Sequence, residues 1–260
     1  MENKNLFLSA KKYYKETLSI PDWEFYTMKR LKQEETGYTD LIKRLGIKPN
    51  DTVLSVGSGW GGFGIAVAET GAKSYLVEPD DERRKISEDI AIERGVECQF
   101  SNAYAEHLPY PNGTFDFVDC TTVIEHMDEP ETALAEMIRV LKPGGRLHLQ
   151  TTNNWYPSEP HYKIAWIPFI PKWIAIIYLK YLSRNPDFIK HLHYFTPAII
   201  DRYFSAHKHI GAIIDHGGYP YRPLNGTKRE NISHTIWNMY VKILGKEGQR
   251  NDIIWKKAKW

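Results

Sequence analysis

Cysteine is nearly missing from this chain, with only Cys98 and Cys120 among 260 residues. Both stand in apolar, strand-like surroundings and far apart, which excludes a disulfide framework and a cysteine metal site. They read as small buried hydrophobes in a reducing, cytoplasmic setting. An excess of charge of one sign is also absent: 34 basic residues face 32 acidic ones, for a net charge of +2. Nothing in that balance calls for nucleic acid as a partner. The first residues, Met1-Glu2-Asn3-Lys4-Asn5, lead into no apolar signal core, so secretion is not expected. Long uninterrupted hydrophobic runs are lacking too. The most apolar stretch, Ile164 to Leu182, is broken by Pro168, Pro171, Lys172 and Lys180, which argues against a spanning helix. No internal repeat and no low-complexity segment is present.

What remains is a well-mixed globular composition, 42% hydrophobic and 25% charged, of a length that suits one α/β domain with an insertion. Residues Leu6 to Leu45 have helical patterning with a break at Ser19-Ile20-Pro21-Asp22. From Thr52 onward short β-branched runs alternate with helical stretches. Strands are expected at Thr52–Val56, Lys73–Val77, Val96–Phe100, Phe115–Asp119 and Arg146–Gln150, and helices at Gly61–Thr70, Asp81–Arg94 and Pro130–Leu141. This alternation predicts right-handed crossovers and a parallel sheet. Lys142-Pro143-Gly144-Gly145 is expected to turn the last of these helices into the fifth strand. Beyond Gln150 comes a segment rich in proline and aromatics. Thr196-Pro197 then reads as an N-cap and first helical residue, opening a helix to about His207. A sixth strand at Lys208–Asp215, a helix over 229–244 and a final strand at Asp252–Lys257 would complete the sheet.

The chemistry centres on Val53-Leu54-Ser55-Val56-Gly57-Ser58-Gly59-Trp60-Gly61-Gly62. A strand followed by Gly57, Gly59 and Gly61 lets the backbone turn sharply beneath a ligand. Taken alone the glycines fit a nicotinamide site, or simply a tight strand-to-helix turn. Glu78, followed by Pro79, ends the second strand about 20 residues on, where a carboxylate can accept from ribose hydroxyls. The third strand ends near Asn102-Ala103, beside the place for a base. Together these positions point to a nucleoside-containing cofactor.

Further blocks narrow the choice. Glu106-His107-Leu108-Pro109-Tyr110-Pro111 through Asp116, then Ile124-Glu125-His126, then Arg139-Val140-Leu141-Lys142-Pro143-Gly144-Gly145 follow in order. From Val53 to Gln150 the chain resembles the core of the class I S-adenosylmethionine-dependent methyltransferases, of the small-molecule type similar to those of ubiquinone biosynthesis. That resemblance implies a Rossmann-like, doubly wound α/β fold with a mostly parallel seven-stranded sheet. It places an N-terminal helical cap at 1–50, the S-adenosylmethionine-binding core at 51–152, an aromatic lid insertion at 153–195 and the rest of the sheet domain at 196–260. It implies S-adenosyl-L-methionine as cofactor, with Gly57, Ser58 and Gly59 at its methionine part, Glu78 and Pro79 at the ribose, Asn102 and Ala103 at the adenine, and Thr121 at the amino-acid end. One position departs from the family: Ser55 stands where an acid usually serves the cofactor's amino group. The amino methyltransferases of DNA bases and protein amides carry an Asp/Asn-Pro-Pro-aromatic motif after strand four, where this chain has Cys120-Thr121-Thr122-Val123.

For the transfer itself, His126 is a candidate general base or acceptor contact, and His193, in His191-Leu192-His193-Tyr194, is a second candidate. A metal held by His191 and His193 with His161 is conceivable, but no carboxylate or cysteine falls at ligand spacing, so no metal is assigned. The apolar stretch at 164–182 reads in three ways: a lid whose aromatic face lines the pocket, an interfacial segment giving peripheral membrane contact, or a dimer contact. The expected reaction is methyl transfer to oxygen or nitrogen of a small apolar, aromatic or lipid-linked acceptor. Alternatives are lipid C-methylation of the cyclopropane-synthase kind, which the sequence around Gly57 also resembles, a nicotinamide-dependent oxidoreductase, and a non-catalytic membrane-associated binding protein.

Overall fold

The computed structural model describes residues 4–216 and 251–259, with a few positions between 231 and 242. Helix α1 (Lys4–Lys11) runs into a π-helical segment (Lys12–Thr17), followed by α2 (Trp23–Thr36) and α3 (Thr39–Leu45). The core then alternates as β1 (Thr52–Val56), α4 (Gly62–Glu69), β2 (Lys73–Val77), α5 (Asp81–Glu93), β3 (Cys98–Ser101), β4 (Phe115–Thr121), α6 (Pro130–Val140) and β5 (Leu141–Thr151). The insertion holds a small hairpin, β6 (Ser158–Glu159) with β7 (Ile164–Ala165), and helices α7 (Lys172–Tyr181) and α8 (Asp187–Lys190). Helix α9 (Pro197–Ser205) and strands β8 (Gly211–His216) and β9 (Asn251–Lys257) complete the described elements.

The sheet has seven strands in the order β3-β2-β1-β4-β5-β9-β8. Its first five are parallel, and β9 joins antiparallel to both β5 and β8. This is the mostly parallel, doubly wound sheet expected from the alternation. Strand β1 is buried along nearly its whole length, as a central parallel strand covered on both faces must be. Local signals set the helix starts. Asp80 caps α5 by accepting from the Arg83 amide at 3.0 Å, and Thr196 caps α9 ahead of Pro197. On one face α6 and α9 pack Met137, Ile138, Ile200 and Phe204 against the sheet. On the other, α3 and α4 pack Ile42, Leu45, Phe63 and Val67.

Several boundaries shift by a residue or two, the sixth strand starts at Gly211 instead of Lys208, and two of the differences have a local cause. The third strand begins at Cys98 rather than Val96, because the Val96 amide still bonds back to Ala91 as α5 closes. The Lys142–Gly145 segment is a bulge inside β5 rather than a turn before it. Phe115 pairs with Leu141 but Phe117 with Arg146, so the extra residues loop out, with Gly144 at φ 80°. The helix expected over 229–244 falls largely outside the described residues.

The insertion packs on the N-terminal helices. Tyr14, Leu18, Ile20 and Tyr26 share one apolar cluster with Tyr162, Ile164, Trp166, Leu179 and Leu192. Arg184 ties the two by donating to the Ser19 carbonyl at 2.7 Å. Segments more than a hundred residues apart thus form one cover over the sheet's carboxyl edge.

Candidate active site

Strand order reverses between β1 and β4, and a parallel sheet opens a crevice at such a point. A cavity of about 630 Å³ lies there. Its floor is the loop after β1. Gly57 has φ 62°, and a Cβ on it would stand 2.3 Å from Val123 Cγ1, so no other residue fits without displacement. Ser58 N donates to the Val77 carbonyl at 3.0 Å, tying the loop to β2. At the end of β2, Glu78 is buried, its Oε2 accepting from Gly59 N at 2.8 Å and its Oε1 from Asp80 N at 3.1 Å. A carboxylate offers about four lone-pair sites, so two remain for further donors.

The acid missing at Ser55 stands one strand over. Ser55 on β1 pairs in register with Asp119 on β4, and both line the cavity. Asp119 Oδ1 lies 2.6 Å from His148 Nδ1 and accepts from Thr121 Oγ1 at 2.9 Å. His148 Nε2 lies 3.1 Å from Asp252 Oδ1, and Asp252 takes a bidentate pair from Arg44 at 2.5 and 2.9 Å. Burial works against charge on His148, but the two aspartates outweigh it and raise its pKa to about 9. Burial likewise opposes charge on Asp252, yet His148 and Arg44 hold it down at about 2. The row therefore alternates acidic and basic side chains across β4, β5, β9 and α3. It fixes Asp119 at the cavity wall while both His148 nitrogens are hydrogen-bonded.

The N-terminal helices form the roof, with Tyr13, Tyr14, Arg30, Gln33 and Tyr38 lining the cavity. Buried Glu34 fixes them to the floor. Its Oε2 accepts from Gly62 N at 2.9 Å, and its Oε1 takes Arg30 Nη2 at 2.6 Å.

The far end of the cavity is built by the short 3-10 turn Ile124–His126 and the insertion. The rings of His126 and His161 meet edge to face at 5.2 Å, and Phe188 packs on both. Burial, reinforced by the His161 and Arg83 charges, pushes His126 down to about 3, so its ring is neutral. Buried Glu159 lies 2.8 Å from His161 Nδ1 through its Oε1 and accepts from Tyr162 N at 2.7 Å. Burial disfavours the His161 cation, but Glu159 more than compensates and raises it. Glu125, buried beneath, accepts from Thr151 Oγ1 at 2.7 Å through Oε2, and burial pushes its carboxyl up.

Ser55, Gly57, Ser58, Gly59, Glu78, Pro79, Ala103, Thr121 and His126 all line this one cavity. Asn102 does not: its amide donates to Asp81 on α5 at 3.1 Å. His193 also stands outside, its side chain exposed, and contributes only its backbone amide, which donates to the Glu125 carbonyl at 2.8 Å. His161 sits with His126, and His191 is exposed elsewhere. The aromatic run of the insertion lines no part of the cavity. Trp166 is buried in the cover and Trp173 faces outward, while the insertion's contributions to the lining are Pro160, His161, Lys163 and Phe188. Asp119, His148, Glu159 and Arg30 carry no local motif. Only the register of β1 against β4, and of β4 against β5, reveals the first two.

A nucleoside-cofactor crevice on a seven-stranded α/β sheet defines the class. Residues 54–149 match the methyltransferase domain family. A ubiquinone/menaquinone biosynthesis C-methyltransferase from Cupriavidus pinatubonensis is 28% identical over 138 residues, 52% of this chain and 56% of its own length. That of Ectopseudomonas mendocina is 37% identical over 112 residues, 41% and 43% of the two chains. The chain spans about half the length of the curated relatives it matches. The YcgJ protein of Bacillus subtilis shares the fold at a TM-score of 0.55 and 22% identity, covering 85% of this chain and 97% of that one. Residues 54–149 are thus similar to the methyltransferase domain and to the core of the ubiquinone/menaquinone C-methyltransferases, enzymes of the S-adenosylmethionine-dependent class.

Proposed function

We propose that this protein transfers a methyl group to oxygen or nitrogen of a small apolar or aromatic acceptor. The observation that carries the reading is one cavity with two unlike ends: a cofactor floor at Gly57, Glu78 and Asp119, and a histidine-lined end at His126 and His161. The floor fits the cofactor chemically. Gly57 leaves backbone bare, Glu78 keeps lone pairs for a ribose, and Asp119 offers the charge that Ser55 lacks. Bound there, S-adenosylmethionine supplies an electrophilic sulfonium methyl. The protein's work is then to align an acceptor and exclude water. Neutral His126 keeps a lone pair available to accept from an acceptor hydroxyl or amine, and Phe188 with the roof tyrosines packs its apolar body. Glu159 orients His161 as the partner group.

The relatives named as C-methyltransferases favour a second reading, a carbon of a hydroxylated ring as acceptor. The same histidines would hold the ring hydroxyl. Carbon-13 NMR of product made with labelled methyl distinguishes C-, N- and O-methyl. No helix among the described residues is long and apolar enough to cross a membrane. The outward apolar side of α7 supports peripheral contact with a membrane carrying a lipid-linked acceptor. The test is calorimetry with S-adenosylhomocysteine, followed by an acceptor screen scored by its release. Absence of binding to the wild-type chain, or equal binding by Gly57→Ala, overturns the reading.

A further inference from the structure

We infer that Glu125, His126 and His161 form a binding site for a first-row divalent transition-metal ion at the acceptor end of the cavity. Three observations meet there. One ligand atom from each side chain lies within 4.8 Å of the other two. Around a shared ion with bonds of about 2.0–2.2 Å, donors stand roughly 3–4 Å apart, so the three have only a short way to draw in. Glu125 Oε1 is the second observation. The residue is 1% exposed, its Oε2 is occupied by Thr151, and Oε1 has no hydrogen-bond partner. A buried carboxylate oxygen left unpaired is costly, and a cation is a partner that removes the cost. The third lies behind His161, where Glu159 takes Nδ1 at 2.8 Å. That leaves Nε2 as the nitrogen turned away from Glu159 and orients the ring, as a carboxylate behind a metal-bound histidine does.

Two imidazoles and one carboxylate suit zinc, manganese, iron or cobalt better than magnesium or calcium, which prefer all-oxygen shells. Three protein ligands leave positions open for water or for an acceptor oxygen. Metal binding needs nothing from the methyltransferase reading. The ion's further role rests on that reading: it would take the place of the His126 lone pair as partner of an acceptor hydroxyl, holding it as its anion while the proton passes to solvent.

The test is titration of Co2+ into the untagged, chelator-treated full chain, followed by its visible absorption bands, with stoichiometry from elemental analysis. One tightly held Co2+ per chain is expected. Glu125→Gln, His126→Ala and His161→Ala should each weaken it tenfold or more, and Glu159→Gln by about 10- to 100-fold through loss of ring orientation. The double variant His191→Ala/His193→Ala should bind as the wild type. Because Glu125 is buried, circular dichroism accompanies each variant, and His126→Ala, which opens onto the cavity, tests the site without disturbing the core. Failure of the wild-type chain to bind Co2+, or binding that survives both His126→Ala and His161→Ala, overturns the site. S-adenosylhomocysteine calorimetry on the same samples separates the two readings. Cofactor binding without Co2+ removes the metal site alone, and Co2+ binding without cofactor removes methyl transfer alone.

Discussion

Asp119 stands directly across from Ser55 in the β1–β4 register and holds His148 at 2.6 Å, so the acid absent from one strand is present on its neighbour. If it serves the cofactor's amino group, Asp119→Asn should weaken S-adenosylhomocysteine binding by tenfold or more, the value of about one charge-assisted hydrogen bond. Adding Ser55→Asp to that variant should recover affinity, since the charge returns to the same wall. Calorimetry on the single and double variants checks this, with melting curves to separate affinity from stability. Recovery of stability without affinity would show Asp119 to be structural.

The same row predicts a stability profile. His148 is raised from 6.5 to about 9 on folding, so its contribution is fully present below pH 6.5 and lost as pH rises through 9. The size is of order 3 kcal/mol. Asp252 is lowered from 3.8 to about 2, so its share is present above pH 3.8 and lost as pH falls toward 2. Urea unfolding measured from pH 5 to pH 10 should therefore show an alkaline fall, and His148→Gln should flatten it. An alkaline limb of equal depth in that variant would assign the effect elsewhere.

Glu34 joins the roof to the floor through Gly62 N and Arg30. Glu34→Ala leaves the α4 amide and the guanidinium without this partner, at a cost on the order of 2 kcal/mol. The loss should be local. Hydrogen exchange should quicken in α1–α3 while β1 and β4 stay protected, and S-adenosylhomocysteine affinity should fall because Arg30 and Gln33 line the cavity. Exchange that quickens equally in the central strands would contradict a separable roof.

The sheet was legible because its signals are local. The β1 and β2 boundaries coincide with the expected runs, Thr196-Pro197 opens α9 as read, and the final strand differs by one residue. Glu78 and the glycines were legible as a spaced pattern. Asn102 illustrates the limit of carrying a site over by position: it follows β3 as expected, yet Asp81 one helix away competes for its amide. His193 turns its side chain to solvent, away from the cavity, and residue spacing does not say which way a side chain in a loop faces. The Asp119–His148–Asp252 row and the Glu159–His161 pair depend on which strands and turns become neighbours, and chain spacing carries no such information. The insertion's aromatic richness was visible, but only packing against α1 and α2 decides which rings turn inward.

Those that turn outward make the last prediction. Helix α7 buries Ala175 and Leu179 and exposes Trp173, Ile177 and Tyr181 at 66%, 60% and 84%. So apolar an outward face, ending at Lys180, is the composition of an interfacial helix, with rings at headgroup depth and lysine at its edge. Burying two such side chains in lipid contributes about 3 kcal/mol. The double variant Trp173→Ser/Ile177→Ser should therefore lower sedimentation with anionic liposomes by tenfold or more, while S-adenosylhomocysteine binding, seated in a cavity that neither residue lines, stays unchanged. Equal sedimentation of wild type and variant would take membrane contact away from α7, and self-association measured by ultracentrifugation would then test the face as a contact between copies.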